Sequence, residues 1–417
     1  TSDGLCGSCQ RTVCSKLLPC PGIVSGSKRV NILDHPITWA EVNLDAYAHN
    51  IRELRRISRP PARLMAVVKA NGYGHGSVEV AREALQNGAQ YLGVARIDEA
   101  IPLRQAGLEV PILIFGYTPP DLAPLLIDYE LTQTVYSIST ASALSEQATR
   151  KGKKIIIHLK VDSGMGRLGF LLAATNDTRD DIATRNSVRA IETISRLPGL
   201  TVEGIFTHFA TADSAEKSYA DMQLDRFMDL LTRLQKQGLE PPIRHAANSG
   251  ALIDMPNSHL DMVRPGIATY GLHPSDEVNK SRVDLRPVMS LKSRVIHLKR
   301  VPPGFNISYG ITFQTKNHTT IATVPVGYAD GFNRLLSSRG HMLVHGQRVP
   351  IVGRVCMDLT MLDVGEVSGV ALEDEVVVFG EQGKGAVTAD EIASSLDTIN
   401  YEIVSTITAR VPRIYLK

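Results

Sequence analysis

From residue 64 onward the chain alternates between two hydrophobic periods. Short apolar runs occupy 64–70 (LMAVVKA), 91–95 (YLGVA), 111–116 (PILIFG), 132–137 (TQTVYS), 155–162 (IIIHLKVD), 202–209 (VEGIFTHF), 243–249 (IRHAANS) and 262–271 (MVRPGIATYG). Between them lie stretches with helical spacing, such as SVEVAREALQNG, ASALSEQATRKG and DMQLDRFMDLLTRLQKQG, and the last two stop at a glycine after basic residues. Eight strand-like runs alternating with helices predict an α/β fold with a (β/α)8, TIM-like barrel. An open doubly wound sheet gives a similar alternation. The count of eight favours the barrel, and no GxGxxG follows the first run.

Upstream, ITWAEVNLD reads as a short alternating strand and LDAYAHNIRELRRI as a helix. Beyond about residue 275 the pattern changes to VMSLKSRVIHLKRV, TTIATVPVGYA, HMLVHGQRVPIVGRV, LTMLDV and DEVVVFG, strands parted by Pro and Gly, with one helix near TADEIASSL. The predicted organisation is a leader over 1–32, a barrel over 33–275 and a mainly β domain over 276–417.

Composition changes this picture little. The 417 residues carry Lys+Arg 45 against Asp+Glu 43, a formal net charge of +2, so no whole-chain field argues for nucleic acid or an acidic membrane. No apolar stretch is long enough to span a bilayer, and a cytoplasmic location is expected. Cys6, Cys9, Cys14 and Cys20 crowd the first twenty residues, with only Cys356 elsewhere. CGSC has zinc-ligand spacing but no second pair or histidine nearby, so no metal site is expected. The leader lacks a periodic apolar pattern and a well-formed cleavable signal, and reads as a disordered extension.

The chemistry collects at the C-terminal ends of the barrel runs, where active sites of such barrels lie. Lys69 closes the first run, Lys160 and Asp162 the fifth, His208 the sixth, Asn248 and Ser249 the seventh, and Arg264 sits in the eighth before Pro265 and Gly266. A single strand-end lysine is ordinarily a solvated tip. Agreement at five strand ends favours a site. Burial beside Val67 and Val68 would lower the Lys69 pKa and leave a nucleophilic amine, suited to a Schiff base with an aldehyde cofactor such as pyridoxal 5'-phosphate (PLP). Tyr73, Ser249 and the backbone of 264–268 could serve its phosphate, and His75 is read as structural.

AVVKANGYGHG, KVDSGMGRLGF, IFTHFATAD, HAANSGA, DMVRPGIATYGL, SYGITF, PVGYADGF, GRVCMDLTMLDVG and NYEIVSTITARVPRIY, in this order from about Asn31 to the end, resemble the successive blocks of the alanine racemase family, PLP enzymes of the barrel type. The resemblance implies interconversion of L- and D-alanine, supplying D-alanine for peptidoglycan. It implies that Lys69 is the cofactor lysine and the base on one face, and that Tyr309 is the base on the other. It places His208 near that tyrosine and Arg264 opposite the pyridine nitrogen. Being always protonated, an arginine there leaves the ring nitrogen without its own proton and the ring a weaker electron sink. Arg167 matches the residue that holds the substrate carboxylate, and Lys160 the position carbamylated in many members. Tyr73, Ser249, Gly266, Ile267 and Tyr401 match the phosphate positions, with Asn248 beside them, and Tyr401 and Met357 narrow the substrate pocket. The implied assembly is a head-to-tail homodimer in which Tyr309, Cys356, Met357 and Asp358 act across the interface. A racemase of broader range, taking serine or lysine, and a barrel-type PLP decarboxylase are the alternatives; Arg264 and the SYG tyrosine oppose the second.

Overall fold

The computed structural model describes residues 36–172 and 181–417. Expectations for residues 1–32 lie outside that range. All eight predicted runs become parallel strands: Arg63–Val67, Tyr91–Val94, Ile112–Ile114, Thr132–Val135, Ile155–Asp162, Leu200–Phe206, Ile243–His245 and Met262–Val263. Each pairs with the next, the first pairs with the last, and pairing between Thr132–Val135 and Ile155–Asp162 leaves no gap, so the sheet closes into a barrel. The strands read as unbroken apolar runs because both their faces are covered, by packed side chains inside and helices outside. Thr132–Val135, with TQTV, is buried at all four positions despite its polar composition.

The helices follow the 3.6-residue spacing. Leu44–Ile57 buries Leu44, Tyr47, Ile51 and Leu54, and its N-cap Asn43 accepts from the Ala46 N–H. Ser218–Gln235 buries Leu224, Phe227, Leu231 and Leu234 in the same way.

The segment Thr38–Asn43 is a strand, as its alternation predicts, but it serves the other sheet. It runs antiparallel to Met289–Arg294, with Ala40 opposite Leu291, and parallel to Arg413–Leu416. The seven-stranded sheet also takes in His341–Val344, Gln347–Pro350, Glu375–Gln382 and Gly385–Val387. A second sheet of three strands joins His297–Val301, Thr319–Val324 and Thr360–Asp363. Two helices, Ala389–Ser395 and Asn400–Ser405, follow where one was expected; the second packs back against the turn after the first barrel strand.

Candidate active site

The first barrel strand ends at Val67, and Lys69 opens a tight turn. Ala70, Asn71, Gly72 and Tyr73 all have positive φ, from 50° to 62°. For an L-residue this left-handed conformation costs about 1–2 kcal/mol each, so the turn needs outside support. His75 supplies some: its Nδ1 lies 3.0 Å from the Gly72 carbonyl and 2.9 Å from that of Tyr73, and an N–H there donates to both. Burial pushes the His75 imidazole down to about 4, so it stays neutral and structural, as read from the sequence. Arg413 Nε donates to the Gly74 carbonyl at 2.8 Å and ties the turn to the last strand.

The turn and the other strand ends enclose a cavity of about 400 Å³. Lys69 and Tyr73 line it from the first loop, Lys160, Arg167 and His208 from the fifth and sixth, and Asn248, Ser249, Arg264, Gly266 and Ile267 from the last two. Tyr401 reaches it from the helix Asn400–Ser405, its ring 6.1 Å from that of Tyr73. Phe115, Leu168 and Phe206 complete the wall and carried no polar signal in the sequence.

Four basic side chains, Lys69, Lys160, Arg167 and Arg264, converge here, and among the described residues no carboxylate lines the cavity. Burial, with Arg167 adding to it, lowers the Lys69 pKa. Burial, together with Arg264 and Arg167, holds Lys160 well below the usual amine range; its Nζ is buried with no hydrogen-bond partner among the described residues, 4.7 Å from the centre of the Phe206 ring. Arg264 is fully enclosed and pushed down to about 9 by burial and by Arg167. Its Nη2 donates to the carbonyls of Thr207 at 2.9 Å and Ala246 at 3.0 Å, and lies 3.3 Å from His208 Nδ1.

The other side of Arg264 faces a chain of imidazoles. Nη1 is 3.0 Å from His245 Nδ1, His245 Nε2 is 2.8 Å from His158 Nδ1, and His158 Nε2 is 3.0 Å from a Glu203 oxygen that Tyr91 also contacts. A guanidinium only donates, so His245 must accept at Nδ1 and donate from Nε2, and His158 must do the same toward Glu203. Burial keeps both imidazoles neutral. Gly204 makes room, since a Cβ there would stand 2.5 Å from the His158 ring.

Asp162 organises the next loop. Its Oδ1 accepts from the N–H groups of Gly164, Met165 and Gly166, and its Oδ2 from that of Arg167. Burial alone would raise its pKa, but these four donors outweigh it and lower it. The loop that carries Arg167 is thus wrapped on one carboxylate.

Across the cavity, Ser249 Oγ accepts from the Gly266 N–H at 2.9 Å and lies 3.4 Å from that of Ala268. A Cβ at position 266 would stand 2.4 Å from the Tyr73 hydroxyl. Only glycine leaves this hollow open, and hydroxyls and backbone N–H groups surround it.

Tyr309 and Met357 do not line the cavity. Tyr309 is 72% exposed and Met357 53%, on the outer face of the second domain. They gather with Cys356 there: Ser308 Oγ donates to the Arg354 carbonyl and lies 3.5 Å from Cys356 Sγ. Ser308 and Ile311, on either side of Tyr309, both have positive φ.

Family models for the alanine racemase N-terminal domain and C-terminal domain match residues 42–274 and 288–415. The chain belongs to the alanine racemase family. An alanine racemase of Desulfosudis oleivorans is 55% identical over 377 residues, covering 90% of this chain and 96% of the relative. The solved alanine racemase of Clostridium difficile 630 superimposes with a TM-score of 0.85 at 42% identity, covering 91% of this chain and 96% of its own. That of Bacillus anthracis, solved with bound L-Ala-P, gives 0.83 at 39% identity, covering 92% and 96%. The family's two-domain plan accounts for the barrel followed by a mainly β domain.

Residues that sequence reading missed are those that support others: Glu203, His158 and His245 behind Arg264, and Glu99 beside Lys69. His158 and His245 stood inside barrel strands as polar residues in apolar runs, a signal that could have marked them.

Proposed function

We propose that the enzyme interconverts L- and D-alanine with PLP, by proton exchange on the two faces of Cα, and that its working unit is a head-to-tail homodimer. The observation that carries this reading is the convergence of Lys69, Lys160, Arg167 and Arg264 on one cavity that no carboxylate lines among the described residues, a setting for a phosphorylated cofactor and a substrate carboxylate.

The residues fit the cofactor. The hollow at Gly266 is open beside the hydroxyls of Tyr73 and Ser249, and with Ile267 and Tyr401 it would take the phosphate. Lys69, its amine made available by burial, would take the aldehyde. Arg264, fixed by its carbonyls and His245, would face the ring nitrogen, with His208 and Asn248 beside the ring. When bound, PLP supplies an electron sink that acidifies the Cα–H.

The chain's own residues do the rest. Arg167 holds the substrate carboxylate. Lys69 moves the proton on one face and Tyr309 of the second subunit on the other. The exposure of Tyr309 and Met357, and their separation from their own chain's cavity, support a site completed by a second copy. His208, kept neutral by burial and by Arg264, accepts from Arg264 at Nδ1 and can offer its Nε2–H to the incoming Tyr309 oxygen. The Lys160 amine, its pKa lowered by burial, can in its neutral form add CO2 at Nζ, losing a proton to solvent; the resulting carbamate anion would pair with Arg167. Among the described residues no helix is long and apolar enough to cross a membrane, and we place the enzyme in the cytoplasm, where it would supply D-alanine.

Incubating the PLP-loaded protein with a panel of L-amino acids, followed by chiral analysis, tests the reading. D-alanine as the main product supports it. Equal turnover of serine or lysine would make it a broad racemase, and amine release with CO2 a decarboxylase; either result overturns alanine specificity.

A further inference from the structure

Lys69 is held from behind by a residue outside the cavity. Glu99 lies in the first turn of the helix Ile97–Gln105. Its Oε1 accepts from the Ala70 N–H at 2.7 Å, and its Oε2 from the Ala95 N–H at 2.7 Å and the Arg96 N–H at 3.3 Å. One carboxylate thus joins the loop after the first barrel strand to the loop after the second, and caps its own helix. Ala70 is where the left-handed turn begins, with φ 51°, and the N–H that Glu99 takes belongs to the residue bonded to Lys69. Moving that N–H moves the Lys69 Cα.

We propose that Glu99 is a positioning residue for Lys69, acting through the backbone of Ala70 and through its negative charge. The groups facing the Lys69 amine explain why the charge matters. Arg167 faces it from the loop after the fifth strand, His208 from the sixth, and Lys160 and Arg264 share the cavity, while the Tyr73 ring centre lies 5.8 Å from Nζ. Burial and Arg167 act to strip the proton from the amine, and Glu99 opposes them. Held between these opposing influences, the amine can both give up and accept a proton.

The role in turnover rests on the proposed part of Lys69 in PLP chemistry; the link between Glu99 and Lys69 does not. The test therefore has two arms. In the cofactor-stripped full chain with 13C-labelled lysine, the Lys69 Cε signal, assigned by its loss in Lys69→Ala, is followed against pH. Glu99→Gln should lower its midpoint by roughly one pH unit, and Glu99→Asp, which keeps the charge but cannot span both N–H groups, should leave the midpoint near that of the wild type. In the PLP-loaded enzyme, both variants should lose at least about tenfold in kcat with KM for alanine within about twofold, because Gln loses one of the two acceptor oxygens and Asp the reach, while neither position touches the substrate. An unmoved midpoint in Glu99→Gln overturns the proposal even if activity falls, since loss of folding alone would not spare it. Unchanged kcat in both variants overturns the positioning role. A shifted midpoint in a wild-type background that racemises nothing would uphold the Glu99–Lys69 link and overturn the PLP reading.

Discussion

Arg264 and Glu203 stand at the two ends of one directed line of hydrogen bonds through the barrel interior, with His245 and His158 between them. Among the described residues the buried guanidinium has no carboxylate beside it and reaches Glu203 through these two neutral rings. Because one end can only donate and the other only accept, both tautomers are set. Long-range 1H–15N spectra should show Nε2–H at both histidines, and an Nδ1–H at either would refute the chain. Glu203→Gln still accepts through its amide oxygen and should keep the tautomers. Glu203→Leu leaves the His158 N–H unpaired and should cost about 1–3 kcal/mol in denaturant unfolding.

Lys69 lines the cavity and Tyr309 of the same chain lies outside it, so the proposed shared site can be tested genetically. Tyr309→Phe should keep cofactor absorbance and lose about 10²–10⁴ in kcat, whereas Lys69→Ala should lose the absorbance of the bound cofactor as well. Mixed together after dissociation, the two inactive proteins should regain activity, since one site in each mixed dimer pairs an intact Lys69 with an intact Tyr309. Random reassociation predicts about a quarter of wild-type activity. No recovery, with mixed dimers shown to form, would mean that each chain carries a complete site.

Asp162 acts on Arg167 through four backbone N–H groups. Asn in its place keeps the shape but loses the charge and turns an NH2 toward donors. Asp162→Asn should therefore raise KM for alanine by roughly tenfold, the worth of one charge-assisted hydrogen bond, with a smaller change in kcat. Steady-state kinetics in both directions decides this, and a change confined to kcat would count against it.

Acid should loosen the turn that carries Lys69. His75 is pushed down to about 4 by burial, while in the unfolded chain it titrates near 6.5. Between those values the unfolded state binds the extra proton, so stability rises with pH across the window and is lost as pH falls from 6.5 toward 4. The contribution at stake is roughly 3 kcal/mol. His75→Asn keeps a donor for the Gly72 and Tyr73 carbonyls without the titration, so its stability, followed by denaturant unfolding at pH 7 and pH 5, should fall less with acid than that of the wild type. Parallel losses in the two proteins would exclude His75 as the source.

The strand ends were legible because burial and polarity conflict there. Lys69, Lys160, His208 and Arg264 interrupt apolar runs, and their runs proved to be the first, fifth, sixth and eighth strands of one closed barrel. Tyr309 was legible only by resemblance: in its own chain it lies in the open, and no local spacing says what covers it. Asp162 was marked at its strand end, but its partners, like those of Glu99, are backbone N–H groups, which carry no residue type and leave no mark in a sequence. The path from Arg264 to Glu203 depends on which side chains of three strands point inward at matching heights. His158 lies opposite Gly204, after a register shift at Ile157, and that alignment is invisible in any one segment.

By itself the sequence determined the number of barrel strands and the kind of most elements, because side-chain periodicity reports which face is buried. It also determined which chemical groups would stand at the strand ends. Tertiary structure alone decided the partners. It sent Thr38–Asn43 to Met289–Arg294 and Arg413–Leu416 instead of to the barrel that follows it, and brought Tyr401 to Tyr73. It also left Tyr309 facing outward. Local patterning encodes that a surface must be covered; which distant segment covers it is settled only when the whole chain packs.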